Sequence, residues 1–260
     1  MPFDNIKAVY NRFVDFTRIK WYNMNIKETI YEQKEFIMNI YKPMNDNQEP
    51  SSAISAEMMK DFLREMQVYR SAIKEMKTKL ENLDDSFHVH YEYNPIHHID
   101  TRLKSPQSIV KKLHKKGKEV NLENMREYVS DIAGVRVICN YVNDLEKVAE
   151  IRLGQDDVTL IRRKEYHRIQ TPNGYRSLHL VVSIPVYLAY EKRDVKVEIQ
   201  IRTIAMDLWG SLEHELRYEN KSGAEVPEYL SDRLYHCSQV LKGIDEEMQE
   251  IYDEIKKLSN

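Results

Sequence analysis

Residues 195–202 alternate apolar and polar side chains without a fault, and this pattern constrains the fold more than any other in the chain. Successive side chains of a β-strand point to opposite faces, so the segment predicts a strand with one apolar and one polar face. The apolar positions are Val195, Val197, Ile199 and Ile201, and the polar positions are Lys196, Glu198, Gln200 and Arg202.

Strand and helix patterns follow one another through the middle of the chain. Further strands are predicted at Phe87–Tyr93, Val135–Val142, Val158–Ile161 and Tyr175–Pro185. Helical spacing of apolar residues separates several of them, at Ser105–Lys116, Leu122–Ser130, Leu145–Arg152 and Ile204–Tyr218. The fold class predicted from this order is α+β, a mixed sheet surrounded by helices.

Long amphipathic helices are predicted on both sides of this region. Apolar residues recur at steps of three and four over Met59–Leu83 and over Leu230–Leu258, so each helix has one apolar seam. We expect the helices to span residues 55–83 and 226–258. Each seam needs a partner, which is the other seam, the rest of the domain, or a second copy of the chain.

The first 52 residues are expected to form a separate extension. Their apolar positions favour one or two amphipathic helices within residues 3–42, and Pro43–Ser52 is polar with two prolines, as in a linker. The predicted boundaries are therefore 1–52 for a helical extension with its linker and 53–260 for the main domain.

Composition narrows the class of protein. The 260 residues are 42% hydrophobic and 31% charged, which is ordinary for a soluble globular protein. The formal net charge is −3, so an anion-binding site must be a local cluster of Lys and Arg. Cys139 and Cys237 lack metal-ligand spacing and fit a reducing compartment. Since no signal-peptide core and no bilayer-spanning run is present, we expect a cytoplasmic protein without a membrane partner.

Two carboxylates occupy positions suited to a metal site. Glu198 lies on the polar face of its predicted strand, and Asp131 lies where a predicted helix ends and a strand begins. A hard cation such as Mg²⁺ binds one or two carboxylates together with substrate phosphates, which neighbouring strands could supply. The alternatives are a solvated sheet face for Glu198 and a cap or turn role for Asp131.

Basic side chains crowd residues 101–118. Arg102 and Lys104 precede a predicted helix that has Ser108 in its first turn, and a helix N-terminus with a hydroxyl and nearby cations is typical of a phosphate site. The alternative is a solvated basic helix face, which we favour for residues 111–118. A second basic cluster contains Arg162, Arg163, Lys164 and Arg168.

The segment Thr171–His179 combines a turn with a strand. Residues 172–174 have turn chemistry, and Tyr175, Ser177 and His179 are predicted to share one face of the strand that follows. A Tyr ring at a strand start can stack on a nucleobase, which is worth roughly 1–3 kcal/mol. The alternatives are a packed aromatic ring for Tyr175 and a hydrogen-bonded structural histidine for His179.

Four blocks of sequence, in this order, resemble the RelA/SpoT-type (p)ppGpp synthetases, and within them the small alarmone synthetases. The blocks are Thr101–Ser108 (TRLKSPQS), Asp131–Val137 (DIAGVRV), Asn173–His179 (NGYRSLH) and Glu198–Thr203 (EIQIRT). The tail Leu208–Tyr218 (LWGSLEHELRY) continues the match, and the resemblance covers roughly residues 85–255. Four ordered blocks make a specific signal.

This resemblance implies a nucleotidyltransferase-like sheet and a Mg²⁺-dependent transfer of pyrophosphate from ATP to the ribose 3′-hydroxyl of GDP or GTP. It also implies roles for individual side chains. Asp131 and Glu198 would bind the metal and act in catalysis. The residues assigned to ATP are Arg102, Lys104, Ser108, Arg136 and Lys164, with the two arginines around the adenine. The residues assigned to GDP or GTP are Asn173, Tyr175 and His179, with Tyr175 stacked on guanine.

Two positions depart from the family pattern. Thr171 replaces the usual Lys, and Lys164 replaces a frequent Arg. Both departures concern phosphate contacts and leave the metal centre intact. Arg162, Arg163 or Arg168 are candidates to compensate.

The resemblance also implies a homo-oligomer that packs through helices, with a tetramer favoured. Two other functions compete with the synthetase hypothesis. A different nucleotidyltransferase would attack the α-phosphorus and release pyrophosphate. A non-catalytic module that binds single-stranded RNA would show strongly salt-dependent binding and no turnover.

Overall fold

The computed structural model of the chain describes residues 52–219 and 227–258. The extension predicted for residues 1–52 therefore lies outside the described residues, apart from Ser52, where the first described helix begins. No described helix is both long and apolar enough to span a membrane.

The described residues contain helices and one mixed sheet. The helices are α1 (Ser52–His90), α2 (Pro106–Lys115), α3 (Leu122–Tyr128), α4 (Val142–Leu153), α5 (Ile204–Glu219) and α6 (Glu228–Leu258). The strands are β1 (Ile96–Leu103), β2 (Ala133–Cys139), β3 (Thr159–Glu165), β4 (Leu178–Tyr187) and β5 (Lys192–Thr203). The five-stranded sheet has the order β1-β2-β5-β4-β3, with β2 parallel to β5 and β4 antiparallel to both β5 and β3. The predicted α+β class is confirmed.

The chain divides into two compact units. Of the described residues, the first unit contains those up to Arg70 together with Leu103–Ile132, and the second contains Ser71–Arg102 together with those from Ala133 onward. In the first unit α2 packs on α3, and Ile109, Leu113 and Met125 are buried between them and their neighbours. The strands β2 to β5 all belong to the second unit.

One face of the sheet forms the core of the second unit. The alternation of β5 has the predicted effect, since Val197, Ile199 and Ile201 are almost completely buried. Leu180 and Val182 of β4 are paired with residues of this same face and are also fully buried. Burial of each such side chain is worth about 1.5–3 kcal/mol, so this face holds the strands in a fixed register. The opposite face carries polar side chains such as Glu198 and Gln200 of β5, together with the apolar Val181 of β4 and Ile138 of β2.

The strand predicted at Phe87–Tyr93 is wrong. α1 continues through this segment to His90, because the helical spacing of apolar residues continues through Leu80 and Phe87. Phe87 is 3% exposed and Val89 is 74% exposed, so alternate residues do not share a buried face. A short run of aromatic and His residues matched the strand period by coincidence.

Other boundaries also differ from prediction. The strand predicted at Val135–Val142 ends at Cys139, and α4 begins at Val142. β4 begins at Leu178, so Tyr175 and Ser177 precede the strand and do not share a strand face with His179. Ser177 is buried and its hydroxyl donates to the carbonyl of Ile201, which closes the start of β4 onto β5. β1, at Ile96–Leu103, was not predicted, because among its residues only Ile96 is buried and the apolar alternation is weak.

Candidate active site

The polar face of the sheet carries a row of side chains across four strands. Gln200 of β5 is paired with Arg136 of β2 on one side and with His179 of β4 on the other. His179 is in turn paired with Lys164 of β3. Paired residues of neighbouring strands point to the same face, so register alone brings these four side chains into one line. Glu198 lies on this same face of β5. We refer to these five residues as the polar row.

Glu198 has close polar neighbours within the row. Gln200 Nε2 donates to Oε2 of Glu198 at 2.8 Å, and Nδ1 of His179 lies 3.7 Å from Oε1. The paired position on β2 is Gly134, where an added Cβ would lie 3.4 Å from the carbonyl oxygen of Arg102. The residue of β2 paired with Glu198 therefore has no side chain of its own beside the carboxylate.

A tight turn precedes β4, as predicted. Gly174 N–H donates to the carbonyl of Thr171 at 2.9 Å, which closes a β-turn through Pro172 and Asn173. Thr171, at the position where the family pattern has Lys, donates through its hydroxyl to Asn173 Oδ1 at 2.6 Å. The Thr side chain therefore stabilises the turn instead of extending a charge from it. Gly174 has φ +91°, a conformation that L-residues rarely adopt.

Helix α6 supports this turn from behind. Gln170 Nε2 donates to the carbonyl of Gly174 at 3.0 Å and to the hydroxyl of Ser238 on α6 at 3.2 Å. Arg176, the residue after Tyr175, forms a buried ion pair of 3.2 Å with Asp245 of α6. Burial raises the pKa of Asp245, although Thr203 and Arg176 bind its carboxylate and oppose that shift. The turn is consequently fixed at two points to one helix.

Tyr175 lies at the centre of an aromatic and cationic cluster. Arg202 donates to its hydroxyl at 2.5 Å, and Nε2 of His179 lies 2.8 Å from the same oxygen. The hydroxyl of Tyr175 therefore has two polar neighbours, and the direction of its hydrogen bond with His179 follows from the tautomer of the imidazole. The guanidinium of Arg202 lies over the Tyr175 ring, 5.0 Å from its centroid.

Tyr166 extends this cluster toward β3. Its ring meets those of Tyr175 and His179 edge-on, with centroids 6.0 and 5.3 Å apart. Lys164 Nζ donates to the Tyr166 hydroxyl at 3.0 Å. The sequence interpretation did not include Tyr166 or Arg202 in the site, although Arg202 stood on the predicted polar face.

In the first unit, Asp131 is bound by two lysines. Lys104 Nζ lies 3.0 Å from Oδ2 and Lys112 Nζ lies 2.8 Å from Oδ1. Burial acts to raise the pKa of Asp131, but the hydrogen bonds and charges of Lys112 and Lys104 outweigh it and hold the pKa below its ordinary value. Asp131 is therefore a carboxylate at neutral pH. Lys112 was assigned to a solvated face, yet it follows Ser108 by one helical turn and so lies on the same side of α2.

The start of α2 is capped by Ser105. The Ser105 side chain accepts from the N–H of Ser108 at 3.4 Å and donates to the Ser108 hydroxyl at 2.9 Å, and Pro106 occupies the first turn. Arg102, by contrast, is an exposed residue near the end of β1, the strand next to β2 in the sheet. Arg136 of β2 forms a 3.0 Å ion pair with Asp207 of α5.

The donor chemistry of both predicted metal ligands fits a hard divalent cation. The described residues contain no group of three or more His, Cys, Asp or Glu side chains that could hold a metal ion. A site built from Asp131 and Glu198 would thus offer two carboxylates and leave other positions to substrate oxygens, as Mg²⁺ sites commonly do. The two residues belong to different units, so their joint binding of a metal stays a prediction.

Known proteins resemble this chain in sequence and fold. The family model described as "Region found in RelA / SpoT proteins" matches residues 101–223, a range that contains all the predicted site residues. GTP pyrophosphokinase YwaC of Bacillus subtilis is 40% identical over 198 residues, covering 76% of this chain and 93% of the relative. GTP pyrophosphokinase YjbM of the same bacterium is 35% identical over 198 residues, covering 76% and 92%. The crystal structure of small alarmone synthetase 1 from Bacillus subtilis bound to its product pppGpp has a TM-score of 0.70 at 35% identity, covering 76% of this chain and 99% of that one.

Proposed function

This chain belongs to the RelA/SpoT family and, within it, to the small alarmone synthetases, and on that premise we propose that it is a (p)ppGpp synthetase. It transfers the β,γ-pyrophosphate of ATP to the ribose 3′-hydroxyl of GDP or GTP and releases AMP. The observation that supports this most directly is the polar row, which presents Arg136, His179, Lys164 and Glu198 on one face of the sheet beside Tyr175.

The guanine nucleotide is assigned to the Tyr175 end of the row. Arg202 lies over the Tyr175 ring, and guanine is assigned to stack on this ring. His179, held by the Tyr175 hydroxyl, is then close to the ribose and phosphates, and Asn173 contributes from the turn. Lys164, paired with His179 in the sheet, would add positive charge for the phosphate oxygens of ATP.

ATP is assigned to the β1–β2 end and to the start of α2. Arg136 and Arg102, on neighbouring strands, would enclose the adenine between two planar cations. Lys104 and Ser108 would bind the phosphates at a helix N-terminus, where free N–H groups favour anions. Lys112 belongs to this set, because its ammonium already lies beside Asp131.

Asp131 and Glu198 would hold Mg²⁺ when it is bound. The ion supplies neutralisation of charge on the phosphate oxygens. Glu198 would accept the proton of the 3′-hydroxyl while that oxygen forms a bond to the β-phosphorus and the bond to AMP breaks. A carboxylate is a weak base in water, so this role requires Glu198 to lie within hydrogen-bond reach of the hydroxyl. Binding both nucleotides in one orientation removes much of the entropic cost of their encounter.

The experiment that tests this proposal uses γ-labelled ATP, Mg²⁺ and either GDP or GTP. We expect label in guanosine tetraphosphate from GDP or pentaphosphate from GTP, with AMP as the second product. Release of pyrophosphate instead of AMP would support a different nucleotidyltransferase. Absence of turnover together with salt-dependent RNA binding would support a binding module.

The cytoplasmic location and the homo-oligomer, with a tetramer favoured, are part of the same proposal. The support for an oligomer is a series of exposed apolar side chains on α6, since apolar patches of this kind are typical of interfaces. They are Val240, Ile244, Met248, Ile251 and Ile255. Light scattering on the full chain and on a truncated chain starting at Ser52 tests this, and monomers in both cases would exclude it.

A further inference from the structure

One carboxylate oxygen connects the two halves of the proposed site. Oδ1 of Asp207, in the first turn of α5, lies 3.0 Å from NH1 of Arg136 and 3.1 Å from NH1 of Arg202. Arg136 is assigned to adenine. Arg202 continues the connection to the guanine side, because its other terminal nitrogen donates to the Tyr175 hydroxyl at 2.5 Å.

Both terminal nitrogens of Arg202 have acceptors, whereas its buried Nε has no hydrogen-bond partner among the described residues. The same NH2 group donates to Gln200 Oε1 at 2.9 Å, and the guanidinium plane lies over the Tyr175 ring. The residue is only 5% exposed. A buried guanidinium needs a compensating charge, and Asp207 supplies one. The two terminal nitrogens of Arg202 lie in one rigid plane and each binds an acceptor. A Lys in its place has a single side-chain nitrogen and could not do this.

Gly210 makes this arrangement sterically possible. A Cβ at this position would lie 3.1 Å from NH1 of Arg202 and 3.5 Å from Cε2 of Tyr175. The backbone of α5 therefore packs directly against both side chains. Helix α5, which also carries Asp207, fixes the position of Arg202 from two points one turn apart.

We propose that Arg202 and Asp207 are positioning residues that couple the adenine and guanine subsites, through the path Arg136–Asp207–Arg202–Tyr175. This inference rests on the proposed function, which assigns the two ends of the path to the two nucleotides. Adenine bound at Arg136 fixes Asp207, Asp207 fixes the guanidinium of Arg202, and Arg202 fixes the ring of Tyr175 for guanine. Because coupling between two binding equilibria is reciprocal, each nucleotide raises the affinity for the other by the same factor.

The first test measures kcat and both KM values in Asp207→Asn and in Arg202→Lys. We expect each variant to raise the KM for ATP and for GDP, by about tenfold for Asp207→Asn, as for loss of a hydrogen bond to a charged group. The matched control is Asp194→Asn, the same change at an exposed residue of β5, which should leave all three constants unchanged. A purely structural role would instead lower the active fraction, and therefore kcat, with both KM values unaltered.

The second test is a double-mutant cycle between the ends of the path, Arg136→Lys and Tyr175→Phe. Tyr175→Phe removes only the hydroxyl that accepts from Arg202. The quantity measured is the dissociation constant of GDP in the presence of a non-hydrolysable ATP analogue. We expect the change in the double variant to differ from the product of the two single changes by at least about threefold. Multiplicative effects, or unchanged KM values in Asp207→Asn, overturn the coupling. The double-mutant cycle does not use Asp207→Asn, so it still tests the coupling if that variant fails to fold.

The two proposals fail in distinguishable ways. A wild-type protein that makes no labelled (p)ppGpp refutes the proposed function, whatever the variants do. Wild-type synthesis combined with independent effects at residues 136 and 175 refutes the coupling alone.

Discussion

Replacement of Gly174 by Ala tests how closely the turn before β4 is fitted to α6. Two costs are expected. At φ +91° an L-residue is strained, which costs about 1–2 kcal/mol. In addition, the new Cβ would stand 2.2 Å from the hydroxyl oxygen and 2.7 Å from the Cβ of Ser238, a buried residue of α6. Relief of such an overlap requires a shift of the turn or the helix, and overpacking of this kind costs about 1–3 kcal/mol.

Gly117→Ala is the matched control, because it separates the two costs. Gly117 also has a positive φ, +64°, but nothing lies within 4 Å of the position that its Cβ would take. We expect a loss of about 1–2 kcal/mol for Gly117→Ala, from backbone strain alone, and about 2–5 kcal/mol for Gly174→Ala. Urea titration followed by circular dichroism measures both free energies of unfolding.

The same pair of variants has a functional readout. Gly174→Ala should also raise the KM for GDP, because Tyr175 is the next residue and moves with the turn. Gly117→Ala should leave that KM unchanged. Equal losses of stability in the two variants, with no change in the KM for GDP, would refute the close fit between the turn and Ser238.

Three further outcomes are expected. Glu198→Gln should abolish synthesis while ATP still binds, and near-normal turnover would reject the assigned role. Arg176→Met or Asp245→Leu alone should cost about 3–5 kcal/mol in urea titrations because each leaves a buried charge unpaired, whereas the double variant should recover most of the loss; additive losses would contradict this. The pKa of Asp131 is below its ordinary 3.8, so its ion pairs stabilise the fold above that pH and are lost as pH falls through the folded-state pKa. Lys104→Met should therefore move the acid-unfolding midpoint to higher pH, and an unchanged midpoint in a circular-dichroism titration would exclude a stabilising pair.

The parts of the fold that depend on local period were predictable. The alternation in residues 195–202 identified β5 and its buried face, and the turn at Pro172 and Asn173 followed from turn chemistry. The strand predicted at Phe87–Tyr93 failed because six or seven residues can satisfy the strand period while the helix before them continues. β1 was missed because most of its side chains are exposed or half-buried, so the sequence has no apolar alternation there.

The site depends on register, which a local pattern does not contain. Residues near one another in the polar row come from four strands, and a shift of one residue on any strand would send its side chain to the other face. Arg202 illustrates the limit. The sequence placed it on the polar face, but its burial follows from Tyr175, Asp207 and Gly210, which other elements supply. Lys112 was missed for the same reason, because its role in the site follows from its ion pair with Asp131, which the sequence pattern does not show.

The support of the guanine-side turn by α6 has a consequence for biosynthesis. Translation produces all five strands before α6, so a nascent chain can pair its sheet while Gln170 and Arg176 still lack their partners on that helix. Guanine-nucleotide affinity should then be acquired only after α6 has left the ribosome. A growing polypeptide would thus remain unable to consume GTP until its structure is assembled.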